Sequence, residues 1–258
     1  MVLPAHATVT IIRMKKALSI AGFDPSSGAG ITSDIKTMEA HGVYGFGVCT
    51  GVTIQNDVNF EYVNWIERNI IFQQIDILYK RFDIDFVKIG LVEDLETIWE
   101  IIFYLKQKNN DVCIIWDPIL KASAGFKFHN KLDLDLLEKI CKNIYLITPN
   151  TEEFERLFGN ENPQNISPKY GTNILLKGGH REGDTVIDTL FTYKKIYHFK
   201  QSRSKRDKHG TGCVLSTTIL TKLILNKELP DACQEAQDYV VRFINSNDSH
   251  LGHHDCSG

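Results

Sequence analysis

The chain has 258 residues, 43% of them hydrophobic, which is enough to bury the core of one large domain. Its formal net charge of −3 gives no electrostatic reason for it to bind nucleic acid or an anionic membrane. No apolar run in the sequence is long enough to span a bilayer.

Residues 1–13 are predicted to be a flexible extension. Their apolar part precedes Arg13 and Lys15, which is the reverse of the order in a secretory signal, and Met14 can serve as a start in its own right. Residues 14–258 are then expected to form a single domain. The six cysteines lie without paired spacing, and several fall in apolar strand-like runs, which is typical of a reduced, cytoplasmic protein.

The first predicted strand runs from Ala17 to Gly22. A turn-rich loop over residues 24–30 follows it, and a helical pattern then runs from Ile31 to His41. A strand, a glycine-rich loop and a helix in this order often line a ligand site at the carboxyl end of a parallel sheet. The loop matches neither Gly-x-Gly-x-x-Gly nor a phosphate loop that ends in Gly-Lys-Ser/Thr. Taken alone, it is better interpreted as an ordinary connection.

Continuous apolar strands alternate with amphipathic helices through the middle of the chain. The patterns predict strands over 46–54, 84–91, 112–116 and 144–147, and helices over 71–82, 95–105 and 132–141. Strands of this kind are buried on both faces. The sequence therefore predicts an α/β fold with a doubly wound, mostly parallel sheet that has helices on both faces.

Three polar residues that follow predicted strands are candidates for ligand binding. Gln55 carries an amide that can pair with the edge of a ring. Asn150 and Glu153 have the spacing of a helix cap, and a carboxylate at such a helix start can also reach a hydrated Mg²⁺. Lys177 precedes two glycines and can meet a phosphate as a point charge. Each residue also has a simpler explanation, as a turn amide, a helix cap or a surface lysine.

The last third of the chain is predicted to contain more irregular structure. Residues 159–173 are polar, contain two prolines and are expected to form a loop without a helix. Short strands are expected over 173–177, 185–191 and 195–199, and a final helix over 232–243. The tail over 250–258 is predicted to be disordered, although its histidines and cysteine are residue types that could bind a metal.

The segment over residues 208–215 places two glycines between a charged run and an apolar helical pattern. The apolar spacing predicts that a helix begins near Thr211. Its first turn carries backbone N–H groups without helical partners, and Gly210 and Gly212 let an anion approach them closely. The segment therefore predicts a cradle for a transferring phosphate. A glycine-rich loop that merely starts a helix is the alternative.

Taken together and in this order, these segments resemble the hydroxymethylpyrimidine/phosphomethylpyrimidine kinases of thiamine biosynthesis, in the ribokinase-like superfamily. The resemblance extends from Ala17 to Phe243. Its most specific stretches are residues 21–31, 34–37, 55–56, 88–90, 117–118, 148–150, 177–180 and 209–213. It implies a ribokinase-like fold, a homodimer and an enzyme that uses ATP and Mg²⁺. The implied substrates are 4-amino-5-hydroxymethyl-2-methylpyrimidine and then its monophosphate.

The resemblance also implies roles for single residues. Cys213 falls where the pyrimidine kinases place a cysteine as catalytic base, and Asp34 is expected near the reacting end. The anion hole is implied at Gly210, Thr211 and Gly212. The pyrimidine pocket is implied at Gly22, Ala29, Gln55, Leu91 and Ile119, with Gln55 paired to the ring.

Nucleotide and phosphate binding is implied in the second half of the chain. The residues concerned are Asn150, Glu153, Lys177 and Gly212. Lys177 is expected to take part in catalysis as well, by contacting the transferring phosphate. Glu153 is expected to reach Mg²⁺ through water, and Asp117 is a further candidate metal ligand.

The chain departs from the family pattern at a few positions. Ser27 replaces a usual glycine, and Ser123 stands where the family has a lysine, with Lys121 two residues earlier. The connection over 159–173 is short, and the usual closing segment is missing. Two alternatives to the pyrimidine kinase stay open: a pyridoxal or dual-specificity kinase, since some similar proteins accept both rings, and a non-catalytic pyrimidine-binding protein. Gln55 favours the aminopyrimidine, because an amide can meet both a ring nitrogen and an amino group.

Overall fold

The computed structural model describes residues 14–119, 133–178, 184–204 and 206–255. The extension predicted at 1–13 lies outside this part of the chain, as do Lys121 and Ser123. Within the described residues, one sheet of nine strands carries the fold, in the order β3-β2-β1-β4-β5-β6-β7-β8-β9. No helix in these ranges combines the length and the apolar character that crossing a membrane requires.

The central part of the sheet is parallel. The parallel strands are Lys16–Phe23 (β1), Tyr44–Gln55 (β2), Phe86–Ile89 (β4), Cys113–Trp116 (β5), Leu146–Ile147 (β6) and Asn173–Leu176 (β7). The antiparallel strands at the two ends are Phe60–Trp65 (β3), Thr185–Phe191 (β8) and Ile196–Ser202 (β9). The prediction of a mostly parallel α/β sheet is confirmed.

Helices connect the parallel strands and follow the last strand. The first four are Gly30–Ala40 (α1), Arg68–Tyr79 (α2), Leu95–Lys108 (α3) and Leu134–Lys142 (α4). The others are Thr151–Phe158 (α5), Pro163–Tyr170 (α6), Thr211–Ile224 (α7) and Leu229–Ile244 (α8).

Each face of the sheet has its own core. Neighbouring residues of one strand, such as Ile114 and Ile115, belong to different apolar clusters because side chains alternate across a strand. One cluster joins the sheet to α2, α3, α4, α5 and α6. The other joins it to α1, α7 and α8. Burial on both faces explains why the central strands are apolar without alternation.

The prediction of a helix-free loop over 159–173 is wrong, because α6 lies within it. Pro163 occupies the first turn of this helix, where a missing N–H costs little. The Asn162 side chain caps the helix by accepting a hydrogen bond from Gln164 N, and Gly171 ends it in the left-handed conformation, with φ of 72°. The strand β3 at the edge of the sheet was not predicted either.

The prediction of a disordered tail is wrong for residues 250–255. The His254 ring lies 4.9 Å from the Phe243 ring, between centroids, and its Nδ1 is 3.2 Å from the Tyr239 hydroxyl. His209 N donates to His250 O at 2.9 Å. The described part of the chain contains no cluster of three or more residues that could hold a metal, and 256–258 lie outside it.

Candidate active site

A cavity of about 1050 Å³ lies at the carboxyl ends of the parallel strands. This edge of an open α/β sheet is where such folds bind ligands, because the loops that leave the strands converge there. Every predicted site residue except Asp34 lines the cavity. They are Gly22, Ala29, Gln55, Leu91, Asp117, Ile119, Asn150, Glu153, Lys177, Gly210, Thr211, Gly212 and Cys213.

One side of the cavity is a compact, largely apolar pocket. Gly22 ends β1 against Leu91, and a Cβ at this glycine would lie 2.8 Å from Leu91 Cδ2. The hydroxyl of Thr50 donates to Leu91 O at 2.6 Å and fixes that wall. Gln55 is the last residue of β2 and contributes a polar amide to the cavity. The walls are therefore rigid and apolar, with an amide available to orient a ring.

The loop between β1 and α1 is folded around the carboxylate of Asp24. This carboxylate accepts hydrogen bonds from Ser26 N at 2.8 Å and Ala29 N at 2.9 Å. His209 Nε2 also donates to it, at 2.9 Å. Burial raises the pKa of Asp24, but the hydrogen bonds from His209 and Ser26 outweigh burial, so the net pKa is lowered. The carboxylate is therefore held ionised at neutral pH.

Ser27 adopts the left-handed backbone conformation, with φ of 60°. Glycine enters this region at little cost, whereas a residue with a Cβ is strained there. The structure thus explains why the resemblance sets a glycine at this position. The serine keeps the same turn, since Ser27 N donates to Asp24 O at 2.9 Å.

The other side of the cavity is built on the start of α7. Gly210 is the N-cap residue, with φ of 80°, and makes no side-chain cap. A Cβ on Gly210 would lie 1.8 Å from Gly28 O, so only glycine fits. The first turn of α7 lines the cavity, and backbone N–H groups in a first turn have no helical partner. The predicted helix start at Thr211 is confirmed.

Cys213 lies in the first turn of α7 and is 4% exposed. Burial raises the pKa of its thiol to about 11, although Lys88 lowers it. The backbone N–H of Gly30 also favours the thiolate. The thiol is thus protonated at neutral pH in the ligand-free protein. The buried ammonium of Lys88 favours the thiolate but does not outweigh burial.

Lys177 reaches the cavity between two carboxylates. Its Nζ is 2.9 Å from Asp117 Oδ1 and 3.8 Å from Glu153 Oε2. Burial, the largest single effect, lowers the pKa of the ammonium, but Asp117 and Glu153 act together against it and the net pKa is raised. A Cβ on Gly212 would lie 3.4 Å from Lys177 Nζ, so the cation lies beside the first turn of α7. A phosphate at this point would meet a charged lysine together with helix N–H donors.

Glu153 and Asn150 form the predicted capping box at the start of α5. Asn150 N donates to Glu153 Oε2 and Glu153 N donates to Asn150 Oδ1, both at 2.8 Å. Burial raises the pKa of Glu153 to about 7, although Lys177 lowers it. The carboxylate therefore titrates close to neutral pH.

The cavity offers donors that suit a hydrated Mg²⁺. Asp117 and Glu153 both line it, and Mg²⁺ in phosphate-transfer sites takes one or two carboxylates while water and phosphate oxygens complete its shell. No cluster of three ligating side chains occurs among the residues that the structure describes. The donor set fits a cation that arrives with a phosphate ligand.

Asp34, which was expected near the reacting end, lies close to Cys213 but does not line the cavity. Asp34 is fully buried beneath the cavity, and Lys88 Nζ lies 2.9 Å from its Oδ2. Ser19 Oγ and Thr217 Oγ1 donate to the same carboxylate, at 2.5 and 2.8 Å. Both oxygens are thus used internally, and Asp34 holds β1, β4 and α7 together under Cys213. The sequence motif indicates that Asp34 lies near the site, but it does not indicate that Lys88, Ser19 and Thr217 are its partners.

Two carboxylates at the cavity, those of Asp24 and Asp188, have hydrogen-bond partners that were not predicted from the sequence. His209 pairs with Asp24 across 185 residues, and only the position of this histidine directly before the cradle hints at a role. Asp188 on β8 accepts hydrogen bonds from Gly178 N and Gln237 Nε2, both at 2.7 Å. No local pattern distinguishes Asp188 from an ordinary strand residue.

Known proteins resemble this chain in both sequence and fold. The chain is 33% identical over 247 residues to the hydroxymethylpyrimidine/phosphomethylpyrimidine kinase of Aquifex aeolicus, covering 92% of this chain and 96% of that protein. The crystal structure of phosphomethylpyrimidine kinase from Clostridium difficile 630 matches with a TM-score of 0.75 and 29% identity, covering 88% of this chain and 98% of that chain. An ADP complex of Bacillus subtilis pyridoxal kinase matches with a TM-score of 0.80 and 23% identity, covering 95% and 98%, a likeness of fold alone.

The sequence model of one family covers almost the whole chain. It is described as phosphomethylpyrimidine kinase and matches residues 24–257, which span the apolar pocket, the lysine–carboxylate group and the helix start that line the cavity. The fold is the ribokinase-like fold of these kinases, and the class of enzyme is a phosphotransferase. The chain therefore belongs to the phosphomethylpyrimidine kinase family.

Proposed function

We propose that this chain transfers the γ-phosphate of ATP to 4-amino-5-hydroxymethyl-2-methylpyrimidine, and then to the resulting monophosphate, in thiamine biosynthesis. One observation carries the proposal: a single cavity joins an amide-bearing apolar pocket to an uncapped helix start that holds Cys213 and faces Lys177. A small ring with a hydroxymethyl group fits the pocket. The transferring phosphate fits the helix start.

The reaction forms a bond between the hydroxymethyl oxygen and the γ-phosphorus and breaks the bond from that phosphorus to the β,γ-bridging oxygen, so that ADP leaves. The backbone N–H groups at residues 210–213 hold the phosphoryl oxygens, and Lys177 neutralises their charge. Cys213, in its thiolate form, accepts the proton of the substrate hydroxyl. The thiolate is a minor species at neutral pH, because the pKa of the thiol is about 11. A loose transition state tolerates this, since the proton need not leave early.

The pocket residues set the specificity in this proposal. Gln55 pairs its amide with the ring nitrogen and amino group, while Gly22, Ala29, Leu91 and Ile119 form the surrounding walls. Asn150 and Glu153, at the start of α5, serve the nucleotide. Asp117 and Glu153, the latter through water, would hold Mg²⁺, which supplies charge neutralisation at the phosphates.

We further propose one kinase domain over residues 14–258, a homodimer and a cytoplasmic location. The continuous sheet supports the single domain, and the free cysteines of the described residues suit a reducing compartment. An edge strand with an exposed aromatic residue, Tyr62 on β3, offers a surface for self-association. Sedimentation equilibrium tests the dimer, and a monomer at micromolar concentration would contradict it.

The deciding experiment measures ADP release with Mg²⁺-ATP on three acceptors in parallel: the hydroxymethylpyrimidine, its monophosphate and pyridoxal. Turnover on the first two, with little on pyridoxal, is expected. Comparable turnover on pyridoxal would make the chain a dual-specificity kinase. Tight pyrimidine binding without ADP release would instead show a binding protein.

Replacing Cys213 tests the proposed base. Cys213→Ala is expected to lower kcat about 10²- to 10⁴-fold, because it removes a general base from the reaction. Cys233→Ala is the matched control, since Cys233 is also a buried thiol but lies on α8 and does not line the cavity. Near-normal kcat in a folded Cys213→Ala protein would remove Cys213 from the mechanism.

A further inference from the structure

We propose that His209 is a positioning residue that, together with Asp24, couples the pyrimidine side of the cavity to its phosphate side. The expected effects on kcat and KM rest on the proposed function. The geometry itself depends only on contacts within the chain. His209 directly precedes Gly210, and its ring crosses to the loop between β1 and α1.

The Asp24 carboxylate is the point where the two sides meet. Its Oδ2 accepts hydrogen bonds from Ala29 N and from His209 Nε2, both at 2.9 Å. Ala29 lines the cavity beside the apolar pocket and is the N-cap of α1. One buried oxygen therefore joins the residue before the anion hole to a wall of the ring pocket. Asp24 is 1% exposed, so water competes little for these hydrogen bonds.

Close contact leaves the His209 ring little freedom. A Cβ on Gly28 would lie 2.5 Å from His209 Cδ2 and 2.8 Å from Leu251 Cδ2. The loop, the ring and the C-terminal segment over residues 246–255 thus lie in direct contact. Glycine at position 28 is what allows the ring to lie against the loop backbone.

The C-terminal segment holds the same stretch from the other side. His209 N donates to His250 O at 2.9 Å. Lys208 Nζ donates to Asn247 O at 2.8 Å, to Asn247 Oδ1 at 2.7 Å and to Ser249 O. Residues 208 and 209 are therefore fixed on both sides, and the first turn of α7 begins from a fixed point.

Fixing this point matters most for the transition state. The N–H donors of the anion hole must meet charge that develops on the transferring phosphoryl, and small displacements weaken such contacts strongly. Ground-state binding of the ring depends on the apolar walls instead. Loss of the Asp24–His209 hydrogen bond is therefore expected to lower kcat more than it raises KM.

The test compares His209→Ala, His209→Gln, Asp24→Asn and the double variant Asp24→Asn/His209→Ala. His209→Ala is expected to lower kcat ~10- to 100-fold, with KM for the pyrimidine within ~3-fold. His209→Gln should recover part of the rate, because its amide can donate to Asp24. The double variant should be no slower than the slower single variant, because both changes break the same contact.

His198→Gln is the matched control. His198 lies exposed on β9, does not line the cavity, and its Nδ1 is 3.2 Å from Thr189 Oγ1. This variant should keep the wild-type kcat. Like the His209 variants, His198→Gln loses an imidazole and its hydrogen bond. It therefore separates a general effect of replacing a histidine from the effect of losing the Asp24–His209 contact.

Hydrogen–deuterium exchange of the backbone at residues 210–214 gives a readout that needs no substrate. Faster exchange there in His209→Ala, but not in His198→Gln, would support the positioning role even if wild type turned over none of the acceptors. Unchanged exchange with unchanged kcat would overturn it. A rise in KM alone would also overturn it, since that result would mark His209 as a substrate contact. If His209→Ala fails to fold, His209→Gln carries the same comparison.

Discussion

Charged side chains with little access to water surround Cys213, the proposed base. Lys88 and Asp34 are both fully buried and pair at 2.9 Å beneath Cys213, while Lys177 and Asp117 pair at 2.9 Å beside it. Burial, the largest single effect, lowers the pKa of Lys88, but Asp34 and the other acidic groups nearby together raise it overall, so the ammonium stays charged. Pairs of this kind are costly to separate, because each partner would be left as an uncompensated charge. They keep the cation near the thiol fixed in place.

The titration of Glu153 predicts how stability depends on pH. Its pKa is 4.5 in the unfolded reference and about 7 in the folded protein, mainly because burial disfavours the carboxylate. The folded state therefore keeps a proton that the unfolded state has released, and this group lowers the unfolding free energy as pH rises from 4.5 to about 7. Glutamine at position 153 cannot titrate. The unfolding free energy of wild type is therefore expected to fall by about 1–3 kcal/mol across that pH window through this group, and Glu153→Gln is expected to lack this fall.

Urea unfolding of both proteins at several pH values between 5 and 8 checks this expectation. The comparison uses the slope with pH, since the substitution also changes contacts that do not titrate. Glu138→Gln is a suitable control because Glu138 is only partly buried and its pKa is lowered by a hydrogen bond from Lys142. Parallel pH profiles for wild type and Glu153→Gln would contradict the raised pKa.

At the scale of single elements, the start of α7 allows no side chain at Gly210. Gly210→Ala would place a Cβ 1.8 Å from Gly28 O, so the loop between β1 and α1 has to move away from the helix. We expect this variant to lose at least ~10²-fold in kcat, because the donors of the anion hole shift with the loop. Steady-state ADP release measures the loss, and circular dichroism confirms that the variant is folded.

Gly171→Ala provides the comparison. Gly171 has nearly the same backbone angles, φ 72° and ψ 14° against φ 80° and ψ 11° for Gly210, yet a Cβ there would meet nothing within 4 Å. It carries the left-handed strain of about 1–2 kcal/mol without the clash. If the two variants lost activity equally, backbone strain alone would account for the effect at Gly210.

The elements that sequence reasoning found are those with a strong local signal. The apolar periodicity of α3 and α7 and the Asn150–Glu153 spacing of α5 all appear where predicted. The elements that it missed depend on distant partners. The strand β3 exists because it pairs with β2, and the helix α6 tolerates Pro163 because this proline lies in its first turn.

The site shows the same division. Residues in short motifs converge on the cavity as expected, because the carboxyl ends of parallel strands meet at one edge. The role of Asp34 and the Asp24–His209 pair could not be read from the sequence, since both depend on contacts across long separations. The ordered part of the tail depends likewise on the ring of Phe243 and the carbonyl oxygen of His250.

At the scale of the whole molecule, α7 connects the site to one core. Its apolar residues, including Leu215, Ile219 and Leu220, belong to the cluster that covers one face of the sheet. Its polar residues donate hydrogen bonds to two buried carboxylates, Thr217 to Asp34 and Ser216 to Asp117, the second of which lines the cavity. The same helix thus lines the cavity at its N-terminal end and fills the interior along its length.

This dual use of α7 has a consequence for heat inactivation. Segments open locally only when few buried contacts hold them, and α7 is buried along most of its length. The start of α7 is therefore not expected to unfold while the interior stays intact. Activity and the native tryptophan emission, to which the buried Trp116 contributes, are expected to be lost at the same temperature. Activity lost several degrees earlier would mean that the anion hole unfolds by itself. If the two coincide, heating passes directly from working enzyme to unfolded chain, without a folded but inactive form.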